Sequence, residues 1–315
     1  MNTAPTGSEL QRERSYLLGI AYRMLGSASD AEDIVQEALL RAANGGELRS
    51  TRAFLTTVVT RLCLDELGSA RRRRENYVGP NLPEPVPTDR LDGVAADPSE
   101  RRENISLALL VLLDELSPLE RAVFVLRDVF DLEFQEIAAA LDRNEANCRK
   151  LLQRAREHIA GAEPKAPAAI EAQNAVSQAF FQALATGDLQ ALVNVLADDV
   201  TFRTDHGGKA SAVRKVLRGK DAVSRFFYGL AIKGKREPEN YSAAPMLLNG
   251  APGFVLRGPT GKVEGTFTLR ISEQAGRACV TSVLAMRNPD KLVAVDRALA
   301  RGACLAVDPR YAPDK

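Results

Sequence analysis

Two proline-bearing interruptions constrain this chain more than any other feature. Pro80, Pro83, Pro85, Pro87 and Pro98 fall within Gly79–Pro98, and Pro164 and Pro167 within Glu163–Ala169. Proline lacks the amide proton that a helix or central strand needs, and it pushes its predecessor out of the helical region. Neither stretch fits inside a regular element, so together they cut the chain into three blocks. The first two blocks repeat apolar residues at helical spacing, whereas the third starts with helices and then alternates like strands. A length of 315 residues accommodates two or three domains, each with its own core.

In the first block Leu17, Ile20, Ala21, Met24 and Leu25 predict a helix over Tyr16–Leu25. Ser29 or Asp30 is expected to cap a second helix with Ile34, Ala38 and Leu39 inward. A third is predicted from Ser50 or Thr51 through Phe54, Leu55, Val58, Val59, Leu62 and Leu67, ending in Arg71–Arg74. Helices resume at Ser99 and run to about Ile159. The third block predicts a helix over Ile170–Thr186, stopped by Gly187, and another over Leu189–Leu196, capped by Asp188. Strand-like runs follow at Val200–Arg203, Met246–Leu248, Gly253–Arg257, Val263–Ile271 and Cys279–Arg287, with a helix Asp221–Leu230 among them. Helices first and antiparallel strands later predict an α+β domain. Val293–Ala300 suits a further helix, and Asp308–Lys315 a loose tail.

The 42 basic and 41 acidic side chains nearly cancel, to a net charge of +1, but they are not evenly spread. Phe134–Leu141 predicts a short helix with Ile137, Ala138 and Leu141 inward. Asp142-Arg143-Asn144 makes a turn, and Asn144 caps a second helix over Glu145–Arg156 packed through Leu151, Leu152 and Ala155. Asn147, Arg149, Lys150, Gln153 and Arg154 lie elsewhere on that helix. Two short helices with a tight turn, the second basic, read as a DNA-reading helix-turn-helix or as a plain helical hairpin with a solvated basic face. Amide and guanidinium groups suit base edges, and lysines suit phosphates.

A second basic element, Arg61 with Arg71, Arg72, Arg73 and Arg74, is opposed only by Asp65 and Glu66 and suits a phosphate backbone. Asp30-Ala31-Glu32-Asp33-Ile34-Val35-Gln36-Glu37 is acidic, with no basic residue before Arg41. Two basic faces and one acidic face suggest a DNA binder that also docks a basic protein.

Cys63, Cys148, Cys279 and Cys304 form no CxxC pair, and His158 and His206 stand far apart, so no metal and no cofactor is expected. The first residues lack the apolar run of a secretion signal, and no stretch is long and apolar enough to span a bilayer. A cytoplasmic protein, monomeric when free, is expected.

Three blocks taken together are recognisable. DAEDIVQEALLRA (Asp30–Ala42), RAFLTTVVTRLCLDEL (Arg52–Leu67) and DELSPLERAVFVLRDVF (Asp114–Phe130), followed by the helix-turn-helix, resemble an extracytoplasmic-function sigma factor of the sigma-70 family. Further on, Asn81-Leu82-Pro83-Glu84-Pro85, Asp205-His206-Gly207-Gly208-Lys209 and Asn288-Pro289-Asp290-Lys291-Leu292 resemble the group carrying a fused SnoaL-like domain of the NTF2-like fold. In that group Trp stands at the place of Asn81 and Gly at the place of His206.

The resemblance implies a multidomain chain: two all-α sigma domains, the second a helix-turn-helix, followed by an α+β cone. The implied boundaries are 8–76, a linker 77–98, then 99–162, the SnoaL-like domain 169–292 and a tail 293–315. It implies that Asp30, Asp33, Gln36 and Glu37 contact the β′ clamp helices of core RNA polymerase, with the β flap a further partner. Arg61, Asp65 and Arg71, Arg72, Arg73 and Arg74 would serve the minus-ten element of promoter DNA. Asn147, Arg149, Lys150, Gln153 and Arg154 would serve the minus-thirty-five element. The fused domain would take the place of a separate anti-sigma protein. Leu82, Pro83, Glu84 and Pro85 in the linker, and Asp205, Gly207, Gly208, Asn288, Asp290 and Lys291 in the fused domain, are expected to make regulatory contacts.

Within the third block Asp205 and His206 are the one adjacent acid–imidazole pair, which makes proton transfer conceivable, but the glycines beside them read more simply as a turn with Asp205 bonding its own backbone. An unknown small ligand in the cone is a further expectation. The competing reading is a one-component DNA-binding regulator with a metabolite-binding or cyclase-like enzyme domain, which needs no acidic docking helix.

Overall fold

The computed structural model describes residues 5–74, 77–88, 106–161, 168–236 and 241–300. The chain divides into two units, one formed by 1–76 with 89–163 and the other by 77–88 with 164–315.

Seven α-helices are described in the first unit. Helix α1 (Gly7–Leu25) opens with a capping box between Thr6 and Glu9 and stops where Gly26 turns left-handed, at φ 69°. Helix α2 (Ala28–Asn44) is capped by Ser27, whose hydroxyl accepts from the Asp30 amide, not by Ser29 or Asp30 as expected. The two-residue turn Gly26-Ser27 brings the first available hydroxyl into capping position. The inward face of α2 is Ala31, Val35, Ala38 and Ala42, so the expected face was rotated by about one residue. Helix α3 (Thr51–Arg74) buries Leu55, Val59, Cys63 and Leu67.

Helix α4 (Leu107–Glu115) follows the Ser106 cap, and α5 (Pro118–Phe124) begins with a Ser117–Glu120 capping box and proline in its first turn. A π-helical turn, Val125–Val129, continues α5. Helices α6 (Phe134–Leu141) and α7 (Glu145–Gly161) complete the unit.

Three contacts tie α1 and α3 to the later helices. The Tyr16 ring meets Phe130 edge-on at 5.2 Å. Arg121, only 3% exposed, donates to the Met24 carbonyl at 2.7 Å and to Asp114 at 2.7 Å. Arg61 donates to the carbonyls of Ala140 at 3.0 Å and Ala139 at 3.3 Å, near the C-terminus of α6.

In the second unit α8 (Ile170–Thr186) and α9 (Leu189–Val195) are joined through Gly187 at φ 65° and the Asp188 cap. Strand β1 (Leu196–Asp205), β2 (Leu217–Arg218), helix α10 (Lys220–Arg236), and strands β3 (Ser242–Leu248), β4 (Ala251–Arg257), β5 (Val263–Gln274) and β6 (Arg277–Met286) follow. The sheet order is β2-β1-β6-β5-β4-β3. It is antiparallel except where β1 runs parallel to β6, so the all-antiparallel expectation is corrected to a mixed sheet. Strand β2 was not expected, because two residues carry no readable alternation.

The core between the helices and the sheet is packed with rings. Phe180, Phe202, Phe227, Phe254 and Phe267 are buried, with Phe181 and Phe226 against them. Phe254 and Phe267 stack at 4.4 Å, and Phe180 meets Phe227 edge-on at 5.2 Å. Each buried ring contributes about 1.5–3 kcal/mol by leaving water.

A 3-10 turn, Pro289–Lys291, leads to α11 (Val293–Ala300). The sequence suits a helix at these positions, and although they fall within the expected tail 293–315, Val295 and Ala298 are buried and Asp296 accepts from the Val263 amide at 3.1 Å.

The segment 77–88, read from sequence as the start of a linker, is an integral part of the second unit. The stretch from Leu82 to Pro87 is buried. Residues 89–98 of that expected linker lie outside the described residues.

Candidate functional site

Three sets of side chains stand out, and each is set up by a local feature of the sequence. In α2, the 3.6-residue period that turns Ala31, Val35 and Ala38 inward turns Asp30, Asp33, Gln36 and Glu37 to the exposed side. Glu37 is paired to Arg41 at 2.8 Å. Leu40, 53% exposed, lies one turn on from these acids and was missed in the sequence reading. Its spacing from Asp33, Gln36 and Glu37 is the signal that could have found it.

The helix-turn-helix is built as expected. Asp142 adopts the left-handed conformation, and the Asn144 side chain accepts from the Asn147 amide at 2.8 Å to open α7. Cys148, Leu152 and Ala155 are buried, and Leu151, expected inward, is half-buried; Cys148 takes the innermost place one turn earlier. Asn147, Arg149, Lys150, Gln153 and Arg154 are all exposed. Gln153 donates to Glu157 at 2.9 Å, and Arg149 pairs with Glu145 at 2.7 Å.

On α3, Asp65 is exposed and Arg61 is engaged with the α6 carbonyls. The helix extends through Arg71, Arg72, Arg73 and Arg74, whose side chains lie outside the described residues.

The third set is centred on Asp205, which is 0% exposed. Its Oδ1 accepts from the Tyr77 hydroxyl at 2.5 Å and from the Gly207 amide at 3.1 Å. Its Oδ2 accepts from the Leu82 amide at 3.0 Å and from Lys291 Nζ at 2.8 Å. A buried carboxylate is tolerable only when its lone pairs are occupied, and here four donors occupy them.

Lys291 is likewise fully used: Nζ also donates to Asn81 Oδ1 at 2.7 Å and to the Leu82 carbonyl at 2.6 Å. An ammonium has three protons, and these three acceptors take them. Asn288 donates to the Tyr77 hydroxyl at 2.9 Å. Burial, and then the neighbouring Asp205 carboxylate, push the Tyr77 phenol well above the ordinary tyrosine range.

Of the two glycines after His206, Gly207 is required by space and Gly208 by its backbone, at φ +73°. Gly207 has φ +54°, and a Cβ there would come within 2.6 Å of Asn288 Nδ2. Gly208 donates to His206 Nδ1 at 3.0 Å. His206 is 3% exposed and lies against Gly79, where a Cβ would approach its Nε2 to 2.8 Å. Lys209 pairs with Asp290 at the surface. Leu82, Pro83, Glu84 and Pro85 are all buried.

The far end of the segment has its own anchor, which sequence reasoning missed. Asn249 accepts from the Val86 amide at 2.9 Å through its side chain, and its own amide donates to the Val86 carbonyl at 2.9 Å. The Gly250 amide donates to Thr88 at 3.0 Å, and Pro87 bridges to Leu248. The signal was the Asn249-Gly250 pair, both at positive φ, which marks a tight hairpin turn. Since β1 and β3 stand at opposite sides of the sheet, with β6, β5 and β4 between them, the segment runs across the sheet from one anchor to the other.

The described cysteines, Cys63, Cys148 and Cys279, are buried, and burial pushes the Cys63 thiol up, away from reactivity. Among the described residues no group of His, Cys, Asp and Glu is placed to hold a metal, and no helix is long and apolar enough to cross a membrane.

An acidic helix face, a basic helix-turn-helix and a fused α+β domain together define a class. Residues 10–73 match the model for sigma-70 region 2, residues 106–159 that for sigma-70 region 4, and residues 177–239 that for the SnoaL-like domain. The chain belongs to the extracytoplasmic-function (ECF) RNA polymerase sigma factors and carries a fused SnoaL-like domain. It is 40% identical to the ECF RNA polymerase sigma factor SigJ of Mycobacterium tuberculosis, over 90% of this chain and 92% of that protein. The crystal structure of M. tuberculosis SigJ matches with a TM-score of 0.71 at 36% identity, covering 92% of this chain and 99% of that one. M. tuberculosis SigG is 34% identical over 83% of this chain and 76% of its own length. The competing sequence reading, a regulator that need not engage polymerase, gives way to this membership.

Proposed function

We propose that this sigma factor is controlled in cis by its own SnoaL-like domain, through the segment 77–88. In sequence that segment leaves the helix assigned to the minus-ten element and leads toward the domain assigned to the minus-thirty-five element. Whatever holds it limits where those two domains can go. The single observation that carries this reading is the burial of Asp205 with donors from Tyr77 and Leu82 on the segment and from Lys291 on its own domain.

The rest of the reading follows the family. The exposed acids Asp30, Asp33 and Glu37 of α2, with Gln36 among them, dock the β′ clamp of core polymerase, and the β flap meets the region 4 domain. Helix α3 serves the minus-ten element through Arg61, Asp65 and Arg71 to Arg74, and α7 serves the minus-thirty-five element. Region 2 spans 8–76, region 4 spans 99–162, and the SnoaL-like domain spans 169–292 with α11 appended.

Asp205 acts in docking and not in proton transfer, because its oxygens already accept from four donors. The ring-packed core of the domain favours regulation by contact over regulation by a small ligand. Tethering supports the same view: attachment to the chain raises the effective concentration of the domain, so a modest interface suffices.

The test is run-off transcription with core polymerase, comparing the wild-type chain with Asp205→Ala and Lys291→Met. A change in promoter-dependent transcript, with exchange protection of residues 77–88 lost, supports control through the segment. Equal transcript from all three, with that protection lost in the variants, rejects it.

A further inference from the structure

Arg149 is held differently from its neighbours Lys150 and Arg154 on α7, and differently again from Arg156, which pairs with Asp128 at 2.6 Å and has no ring contact among the described residues. The Arg149 guanidinium lies 4.2 Å from the centroid of the Phe134 ring and pairs with Glu145 at 2.7 Å. Among the described residues Lys150 and Arg154 make no ion pair or ring contact. Two restraints from different elements, a ring on α6 and a carboxylate on α7, therefore fix a side chain that is otherwise 57% exposed.

Phe134 has a second cation against its ring. The π-helical turn Val125–Val129 carries Arg127, whose guanidinium approaches the same ring at 5.4 Å. Arg127 donates to the Leu132 carbonyl at 2.8 Å and to Glu133 at 3.3 Å, which ties down the loop entering α6. A π turn inserts one extra residue into a helical repeat and so re-aims the side chains that follow, and such turns gather at functional sites. Arg127, Phe134 and Arg149 thus form a row from the π turn to the DNA-reading helix.

We propose that Phe134 is a positioning residue for promoter recognition: its ring holds the Arg149 guanidinium in the orientation that reads a guanine edge in the minus-thirty-five element. The proposal rests on the assignment of α7 to that element. Arg149 lies in the N-terminal part of α7, the part of a recognition helix that reaches base edges. Guanidinium reads guanine by two parallel bonds to O6 and N7, and two bonds require a fixed plane. A planar ring beneath the guanidinium supplies that plane before DNA arrives, so less side-chain freedom is lost on binding. Lys150 and Arg154, without such restraint, suit phosphates, which carry no sequence information.

The test is binding selection with the holoenzyme on duplexes randomised over the minus-thirty-five element, for the wild type, Arg149→Ala, Phe134→Leu and Phe134→Tyr. Arg149→Ala should erase the preference at one base pair. Phe134→Leu should reduce the preference at that same pair about three- to ten-fold, leaving other positions and the salt dependence unchanged. Phe134→Tyr, which keeps the ring, should match the wild type. Should Phe134→Leu prove unfolded by circular dichroism, Phe134→Met keeps the apolar bulk without the ring and takes its place. If Phe134→Leu or its substitute leaves that pair untouched, or weakens all sequences equally, Phe134 has no positioning role. If Arg149→Ala changes no position, the assignment of Arg149 itself is wrong, a separate result.

Discussion

Lys291 Nζ stands 2.8 Å from Asp205 Oδ2, and the Asp205 side chain is wholly buried while that of Lys291 is 20% exposed. The pair closes over the backbone of Leu82, whose amide donates to Asp205 and whose carbonyl accepts from Lys291. One peptide segment is thus gripped by both charges, and each charge is neutralised by the other.

Removing one partner of such a buried pair leaves the other charge without compensation, at about 3–5 kcal/mol. Asp205→Ala is expected to cost stability in that range and to expose residues 77–88. Hydrogen exchange across the segment measures both effects. Protection at the Leu82 amide equal to the wild type would show that the grip lies elsewhere.

Tyr77 makes the same grip sensitive to alkali. Its phenol is neutral while it donates to Asp205, and burial beside that carboxylate raises its pKa. A raised value means that the docked form keeps this contribution below the ordinary tyrosine pKa of about 10 and loses it as pH climbs above that. Segment protection followed against pH should fall above about pH 10, and the fall should be shallower in Tyr77→Phe, which has no phenol to ionise.

Gly79 has φ +90°, and a Cβ there would stand 2.8 Å from His206 Nε2. Gly79→Ala meets both a left-handed backbone and a buried ring, at a cost of about 1–3 kcal/mol. Thermal unfolding of Gly79→Ala alone and combined with His206→Gly measures it. The second change should return part of the loss by opening space, and the backbone part should remain.

Arg61 is bonded to the Ala139 and Ala140 carbonyls. Arg61→Ala is therefore expected to destabilise the first unit by about 1–2 kcal/mol, since bonds from a charged donor exceed neutral ones. Denaturant unfolding checks this. A loss of promoter binding with no change in stability would instead assign Arg61 wholly to DNA.

Asp33 and Glu37 lie on the exposed side of α2. Charge reversal of both to lysine should leave the fold within about 0.5 kcal/mol of the wild type, as surface changes generally do. It should weaken core polymerase affinity about ten-fold or more, because like charges across an interface repel. Titration of labelled core polymerase measures the second effect, and unchanged affinity would remove α2 from the interface.

Much of this protein could be read along the chain. The Asn144 cap, the Gly187-Asp188 stop and start, the bounds of α6 and α8, and the turn in which Asp205 bonds the Gly207 amide all depend on groups within a few residues of one another. Such features need only local geometry and the period of a helix or strand, and residue order carries both. The partners of Asp205 are another matter. Tyr77 lies 128 positions before it and Lys291 lies 86 after it. The resemblance to a family pointed to these stretches, but which atoms meet depends on β1 pairing in parallel with β6, which delivers Asp205 beside Met286 and the turn that bears Lys291. Arg61 shows the same limit, since its basic charge suggested phosphate and its carbonyl partners lie on α6, 78 and 79 positions away. Alternation and charge state what a side chain can offer, and chain topology chooses the group that takes it.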